Sequence, residues 1–336
     1  MKTDTLSDVL RTVHLRGAVF YDLGFGQEWA AEAPSIPEIA DAVFPGAGHV
    51  MEYHLISRGS GWAAILGEAP VRLQAGDIVV FPHGDAHVMS SSPGLRPTRM
   101  QPEWIHATRN DPKPIALVFS TLNAFAVGAP TSEAPNRVAC GFLGCDLKPF
   151  NPLIAALPRL LHLPADDQDP WAIQVMQHAV KASQNRQPGA NAVLERLSEM
   201  VFVDAVRRHA ERLPAQSTGW LAGLRDRHVG RALALVHAQP ERPWTVDLLA
   251  SEIALSRSAF CERFVRLVGQ APMHYLAQWR MQVAANLLRQ SAAPVASIAL
   301  DVGYESEAAF TRAFKRQVGE PPATWRRHQG ARPQGT

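Results

Sequence analysis

Four side chains capable of metal or redox chemistry fall into two short stretches of this 336-residue chain. His83 and His87 lie four apart in FPHGDAHVM, and Cys140 and Cys145 bound the glycine-rich run CGFLGC. Two neutral imidazoles and two thiolates make a sound tetrahedral zinc set. The cysteine spacing is looser than that of a zinc knuckle, since four residues intervene rather than two. Two other readings stand beside zinc. The cysteines form a switchable disulfide, or they pack as small buried apolar residues while His87 faces a barrel mouth.

A second set of residues suits nucleic acid. SRSAFCERFVRLVGQAP starts at Ser256, and SEAAFTRAFKRQVGEPP starts at Ser306. In both copies the phenylalanines and a valine recur at i, i+4 and i+8 (Phe260, Phe264, Val268; Phe310, Phe314, Val318), one buried stripe of a helix. Ser256 and Ser306 suit the N-cap, and Gly269 and Gly319 with the prolines beyond them form a stop. The opposite face varies. Ser258, Cys261, Glu262 and Val265 point outward in the first copy, and Ala308, Thr311, Arg312 and Lys315 in the second. Arg257, Arg266, Glu307 and Arg316 flank them. A helix lying in the major groove reads base edges with such residues and holds phosphates with its flanking arginines. Glu262 is chemically apt to accept from a cytosine amino group. Glu307 is either a base contact or a first-turn acid that stabilises the helix N-terminus.

The elements that must position these residues follow from patterning. TVDLLASEIALS precedes the first copy and PVASIALDVGYES the second, so each reads as helix, turn, helix. The uninterrupted helix PMHYLAQWRMQVAANLLRQ between them would space two reading helices into neighbouring grooves, ~34 Å apart. Residues 17–127 show short apolar runs separated by Gly, Pro, Asp and Ser, which suits a sandwich or barrel. SSSPGLRPTRMQPEWIHATRNDPKP has no periodicity and reads as a long loop. From Pro149 the pattern turns helical, through NPLIAALPRLLHL, DPWAIQVMQHAVKAS and NAVLERLSEMVFVDAVRRHAERL. In the last of these Leu194, Leu197, Val201 and Leu213 form a wide stripe, either packed on its own domain or serving as a dimer interface. LPAQSTGWLAG then reads as a linker, with helices resuming at Arg225. The expected class is α+β: a β-barrel over 1–148, a helical dimerisation and linker segment over 149–218, and an all-α domain with two helix-turn-helix motifs over 225–328.

Charge separates the same parts. Residues 225–336 hold 15 Lys and Arg against 9 Asp and Glu, whereas residues 1–224 hold 18 against 22. A basic third on a mildly acidic body points to a polyanion-binding module. No run of ~18 apolar residues offers a membrane span. The start has no apolar signal region, and three cysteines are too few for a disulfide scaffold, which together suit a reducing cytoplasm.

Over residues 225–328 the chain resembles the DNA-binding domain of the AraC/XylS regulators, through LASEIALSRSAFCERF, RMQVAANLL and IALDVGYESEAAFTRAFKRQVGEPPATWR. The resemblance implies a seven-helix unit whose two helix-turn-helix motifs are joined by a long helix. It also implies that Ser258, Cys261, Glu262, Glu307, Ala308, Thr311 and Arg312 face DNA. In GDIVVFPHGDAH, the spacing of Gly76, Pro82, Gly84 and His87 resembles the second signature of the cupin barrel, found in sensor domains of the same regulators. The first signature is incomplete in GHVMEYHLISRG. His54 holds one histidine position, Ile56 stands where a second would be, and no glutamate follows. The broken set argues against cupin oxygenase chemistry and leaves His54 and Trp62 as expected pocket residues. The reading is a cytoplasmic, homodimeric regulator that binds promoter double-stranded DNA, answers to a small molecule, metal or oxidant, and contacts RNA polymerase if it activates. Two classes compete with it, a cupin metalloenzyme with an appended DNA-binding domain and a purely architectural DNA binder.

Overall fold

A computed structural model describes residues 4–13, 15–109, 111, 113–121, 124–127, 133–165, 174–176, 178, 181 and 187–330. It separates into two compact units, each made of discontinuous chain. One comprises Leu15–Cys145 and Leu157–Arg212; the other comprises Met1–His14, Asp146–Ala156 and Leu213–Thr336.

The first unit is built on two sheets. Its strands are β1 (Arg16–Phe25), β2 (Ala30–Ala33), β3 (His49–Arg58), β4 (Ser60–Ile65), β5 (Val71–Gln74), β6 (Ile78–Phe81), β7 (His87–Ser90), β8 (Thr98–Arg99), β9 (Ile115–Thr121), β10 (Ala124–Val127), β11 (Asn136–Cys145) and β12 (Leu161–Leu163). Seven form one sheet in the order β10-β9-β1-β11-β3-β6-β12, and five the other, β5-β4-β7-β2-β8. Alternation decides which side chains enter the core between them. On β3, Val50 and Ile56 join the central apolar cluster, so Glu52 and His54, which share their parity, face the same way. Tyr53 has the opposite parity, and its hydroxyl meets that of Ser198, 2.6 Å away on the helix Ala190–Arg212.

That helix covers the outer face of β1. Gly17 permits the approach: a Cβ there would fall 2.5 Å from Cβ of Ser198. Leu194, Leu197, Val201, Phe202 and Val206 are buried beneath the helix, all inside this unit. The stripe expected as a choice between core and dimer interface is therefore core at Leu197 and Val201. The middle segment is also not one helical piece. The helix Pro152–Ala156 belongs to the second unit, whereas Leu161–Leu163 is a strand paired with β6, because Leu161 and Leu163 alternate into its core. DPWAIQVMQHAVKAS falls largely outside the described residues. The expected long loop contains β8 and a short helix, Pro102–Ala107, which buries Ile105.

The second unit is helical. From Arg227 its helices are Arg227–Ala238, Val246–Glu252, Arg257–Val268, Pro272–Gln290, Val295–Asp301, Glu307–Val318 and Pro322–Gly330. The helix Trp220–Arg225 comes before them, so helical structure begins earlier than expected from Arg225. The N-terminal helix Thr5–Thr12 and segment 146–156 also pack here. Gln282, fully buried on the long helix, donates to the Thr12 carbonyl and accepts from the Phe150 amide. The N-terminal boundary of the barrel expected at residue 1 thus shifts past His14.

Both helix-turn-helix elements close in the same way. Leu255 N–H donates to the Ala250 carbonyl, and Tyr304 N–H to the Ala299 carbonyl, at 3.0 and 2.9 Å. The residues before them, Ala254 and Gly303, take positive φ of 56° and 80°. The first turn tolerates alanine where the second uses glycine, although a left-handed alanine costs roughly 1–2 kcal/mol. One residue then precedes Ser256 and two precede Ser306. Each serine accepts from the backbone N–H three residues on, at 3.3 and 3.2 Å.

Candidate functional site

In the helical unit, the two helices expected to read DNA are Arg257–Val268 and Glu307–Val318. Phe260, Phe264, Phe310 and Phe314 are buried, which turns the opposite faces outward. Arg257, Ser258, Glu262 and Arg266 are exposed on the first helix. Glu307, Ala308, Arg312, Lys315 and Arg316 are exposed on the second, while Cys261 and Thr311 are half-buried. Arg257 pairs with Asp247 at 3.0 Å. Val265 is 45% exposed, an apolar group on a polar face that suits contact with a thymine methyl.

In the barrel unit, the expected four-ligand set does not assemble. His83 is exposed, and its Nε2 lies 3.0 Å from the Leu157 carbonyl oxygen, whereas His87, four residues on, is wholly buried. Cys140 and Cys145 lie on one strand, opposite His54 and His49 in the β3 register. Five residues of regular strand put their Cα atoms about 16 Å apart and their side chains on opposite faces. That excludes a shared metal ion and, with Cα atoms needing to lie within ~7 Å, a disulfide between them. Both cysteines are buried, and neither is disulfide-bonded.

A different cluster forms around His87. The GDIVVFPHGDAH stretch positions it. Gly76 and Gly84 supply positive φ at the two ends of β6, and Asp77 ties the turn by accepting from the amides of Gln74 and Ala165 and from His162. The His87 ring then stacks on Phe81, with centroids 3.5 Å apart, and turns its Nε2 to within 2.7 Å of Nε2 of His54. The Glu52 carboxylate lies 3.7 Å from the same His54 nitrogen. Among the described residues, Glu52, His54 and His87 are the one trio of such donors whose ligand atoms lie within 4.8 Å of one another. The outer ring nitrogens are occupied as well. Nδ1 of His54 meets Cys140 Sγ at 2.8 Å, and Nδ1 of His87 meets the Asp85 carbonyl at 2.9 Å.

Burial sets the protonation of this cluster. It raises Glu52 to about 8 and lowers His87 to about 4. His54 is held well below its ordinary value, by burial and then by His87, while burial pushes the Cys140 thiol up. Without a cation the cluster is therefore predominantly neutral at pH 7. It adjoins a cavity of about 30 Å³ lined by Glu52, His54, Cys140 and apolar groups such as Leu23, Met89 and Ile105. Trp62 does not share that cavity. It borders a separate groove of about 360 Å³ along β4, so these two expected pocket residues line different depressions.

A cupin family model matches residues 4–211, and a helix-turn-helix domain model matches residues 249–328. The chain is 31% identical to a putative AraC-like transcription regulator of Streptomyces lividans, over 97% of this chain and 98% of that protein. The chain belongs to the AraC-like transcription regulators. A further relative of this kind, from Streptomyces antibioticus, is 32% identical over 97% of this chain and 99% of its own length. The regulator AlkR of Acinetobacter baylyi is 30% identical over 96% and 99%. The regulator thus combines a cupin domain with a helix-turn-helix DNA-binding domain and is not an enzyme, which sets aside the metalloenzyme alternative. No helix among the described residues is long and apolar enough to cross a membrane.

Glu52 is the site residue that sequence reasoning missed in this regulator. Its signal was present: a carboxylate inside the otherwise buried run of β3, two residues before His54 and hence on the same face.

Proposed function

We propose that this regulator binds promoter double-stranded DNA through both reading helices and that its barrel answers to an effector. The carrying observation is the pair of solvent-facing, mostly polar surfaces set over phenylalanine cores. Glu262 would read a base edge, whereas Lys315 would hold a phosphate. Selection from random DNA tests the division. Glu262→Ala should change the preferred base at one position, and Lys315→Ala should weaken binding on all sequences alike. An unchanged preference for Glu262→Ala would contradict the base-reading role. A protein with this partner works in the cytoplasm, and where it activates it would also contact RNA polymerase.

A homodimer is part of the same reading, with a revised surface. The outer side of the helix Ala190–Arg212 exposes Val193, Met200 and Val203. Antiparallel pairing with a second copy about Met200 sets Arg196 opposite Asp204 of the other helix, so the face complements itself in charge as an isologous contact requires. Met200→Asp should give folded monomers in sedimentation analysis. A wild-type chain that is monomeric at micromolar concentration would remove the dimer from the account.

A further inference from the structure

We propose that Glu52, His54 and His87 bind one divalent transition-metal ion of the zinc type, through the Glu52 carboxylate and the two Nε2 atoms. The inference deepens the reading of the barrel as the effector-answering part of the regulator and rests on it. Three features carry it. The first is donor chemistry. Two imidazole nitrogens and a carboxylate are ligands for such an ion, which needs each donor about 2.0–2.2 Å away and so tolerates donors spaced roughly 3–4 Å apart. The separations of 2.7 and 3.7 Å around His54 Nε2 are close to that spacing.

The second feature is the outer arrangement. A metal-bound histidine carries its proton on the far ring nitrogen and donates it to a fixed acceptor. The Asp85 carbonyl, 2.9 Å from Nδ1 of His87, and Cys140 Sγ, 2.8 Å from Nδ1 of His54, are such acceptors. With the outer nitrogens protonated in this way both Nε2 lone pairs are available to one cation, which would take the place of the proton shared in the 2.7 Å Nε2–Nε2 hydrogen bond. The third feature is placement. Glu52 is 5% exposed and sets its carboxyl 3.7 Å from Nε2 of His54, so a cation bound between them would face an ionised, charge-balancing ligand without solvent competition.

Cavity size is in keeping with a small ligand. The cavity of about 30 Å³ beside Glu52 and His54 has room for an ion and water and lies well below the ~300–1,000 Å³ of pockets for organic ligands. The set also differs from the incomplete cupin pattern. Its carboxylate comes two residues before His54 rather than after it, and neither cysteine is a direct ligand.

The test uses full-length protein stripped with a chelator and titrated with zinc alone, with a promoter-shift assay on the same preparation. Wild type should take up one zinc per chain. Replacing a direct ligand, in Glu52→Gln, His54→Ala or His87→Ala, should weaken uptake by about 100-fold or more, and Cys140→Ala, which removes an outer partner, by about 10-fold. His83→Ala and Cys145→Ala should bind as wild type. Should the ligand variants misfold by circular dichroism, the cobalt spectrum of wild type decides, with no thiolate charge-transfer band expected. DNA binding without zinc uptake overturns the metal site alone, and so does weakening by His83→Ala or Cys145→Ala equal to that by His87→Ala. Loss of the DNA shift from every preparation instead overturns the regulator reading.

Discussion

Raising salt from ~50 to ~200 mM should weaken promoter binding roughly 500-fold for each bound copy of the chain, because each neutralised phosphate adds about −0.9 to the logarithmic salt slope. Arg257, Arg266, Arg312, Lys315 and Arg316 are all exposed on the reading helices. With each neutralising one phosphate, five contacts give a slope of about −4.5. Arg257 must leave Asp247 to do so, and this exposed pair offers little resistance, being worth at most ~1 kcal/mol. Fluorescence anisotropy across the salt series checks the value. A slope shallower than about −1 would mean that these helices do not carry the DNA contact.

The second large effect is on stability. Phe310 is fully buried between Tyr304 and Phe314, with ring centroids 5.6 and 5.5 Å away, in the cluster that includes Trp325 and Ile298. Phe310→Ala should cost about 3–5 kcal/mol, by lost transfer energy and an unfilled cavity. Lys315→Ala, one turn along but exposed, should stay within about 0.5 kcal/mol. Denaturant unfolding followed by tryptophan fluorescence should show a lower midpoint for Phe310→Ala only. Equal midpoints would remove Phe310 from the core that holds the second reading helix.

The reading helices and the barrel cluster differ in how far the sequence alone reveals them. The reading helices were legible because every signal that defines them is local: a capping serine, phenylalanines at i and i+4, and a left-handed glycine at each end. The barrel cluster was legible only in part. His54 and His87 stand out through motif spacing, but the place of Cys140 depends on its register opposite His54, 86 residues away in sequence. Cys140 and Cys145 look like a pair because they are close in the chain; strand geometry separates them. Similarly, six residues from Pro102 to Ala107 are too few to show a helical period, so a short helix read as loop. The packing of residues 5–12 and 146–156 into the helical unit has no local signal, since it depends on Gln282, far along the chain.

One scaffold, used twice in this chain, is expected to read two DNA segments. Hydroxyl-radical footprinting of the full chain on its own promoter tests it most directly. Each bound copy should protect two stretches on one face of the duplex, about one helical turn or ~34 Å apart. Arg312→Ala should weaken protection of one stretch, and Glu262→Ala should perturb only the other. A single protected stretch per copy, or loss of the same stretch in both variants, would contradict it.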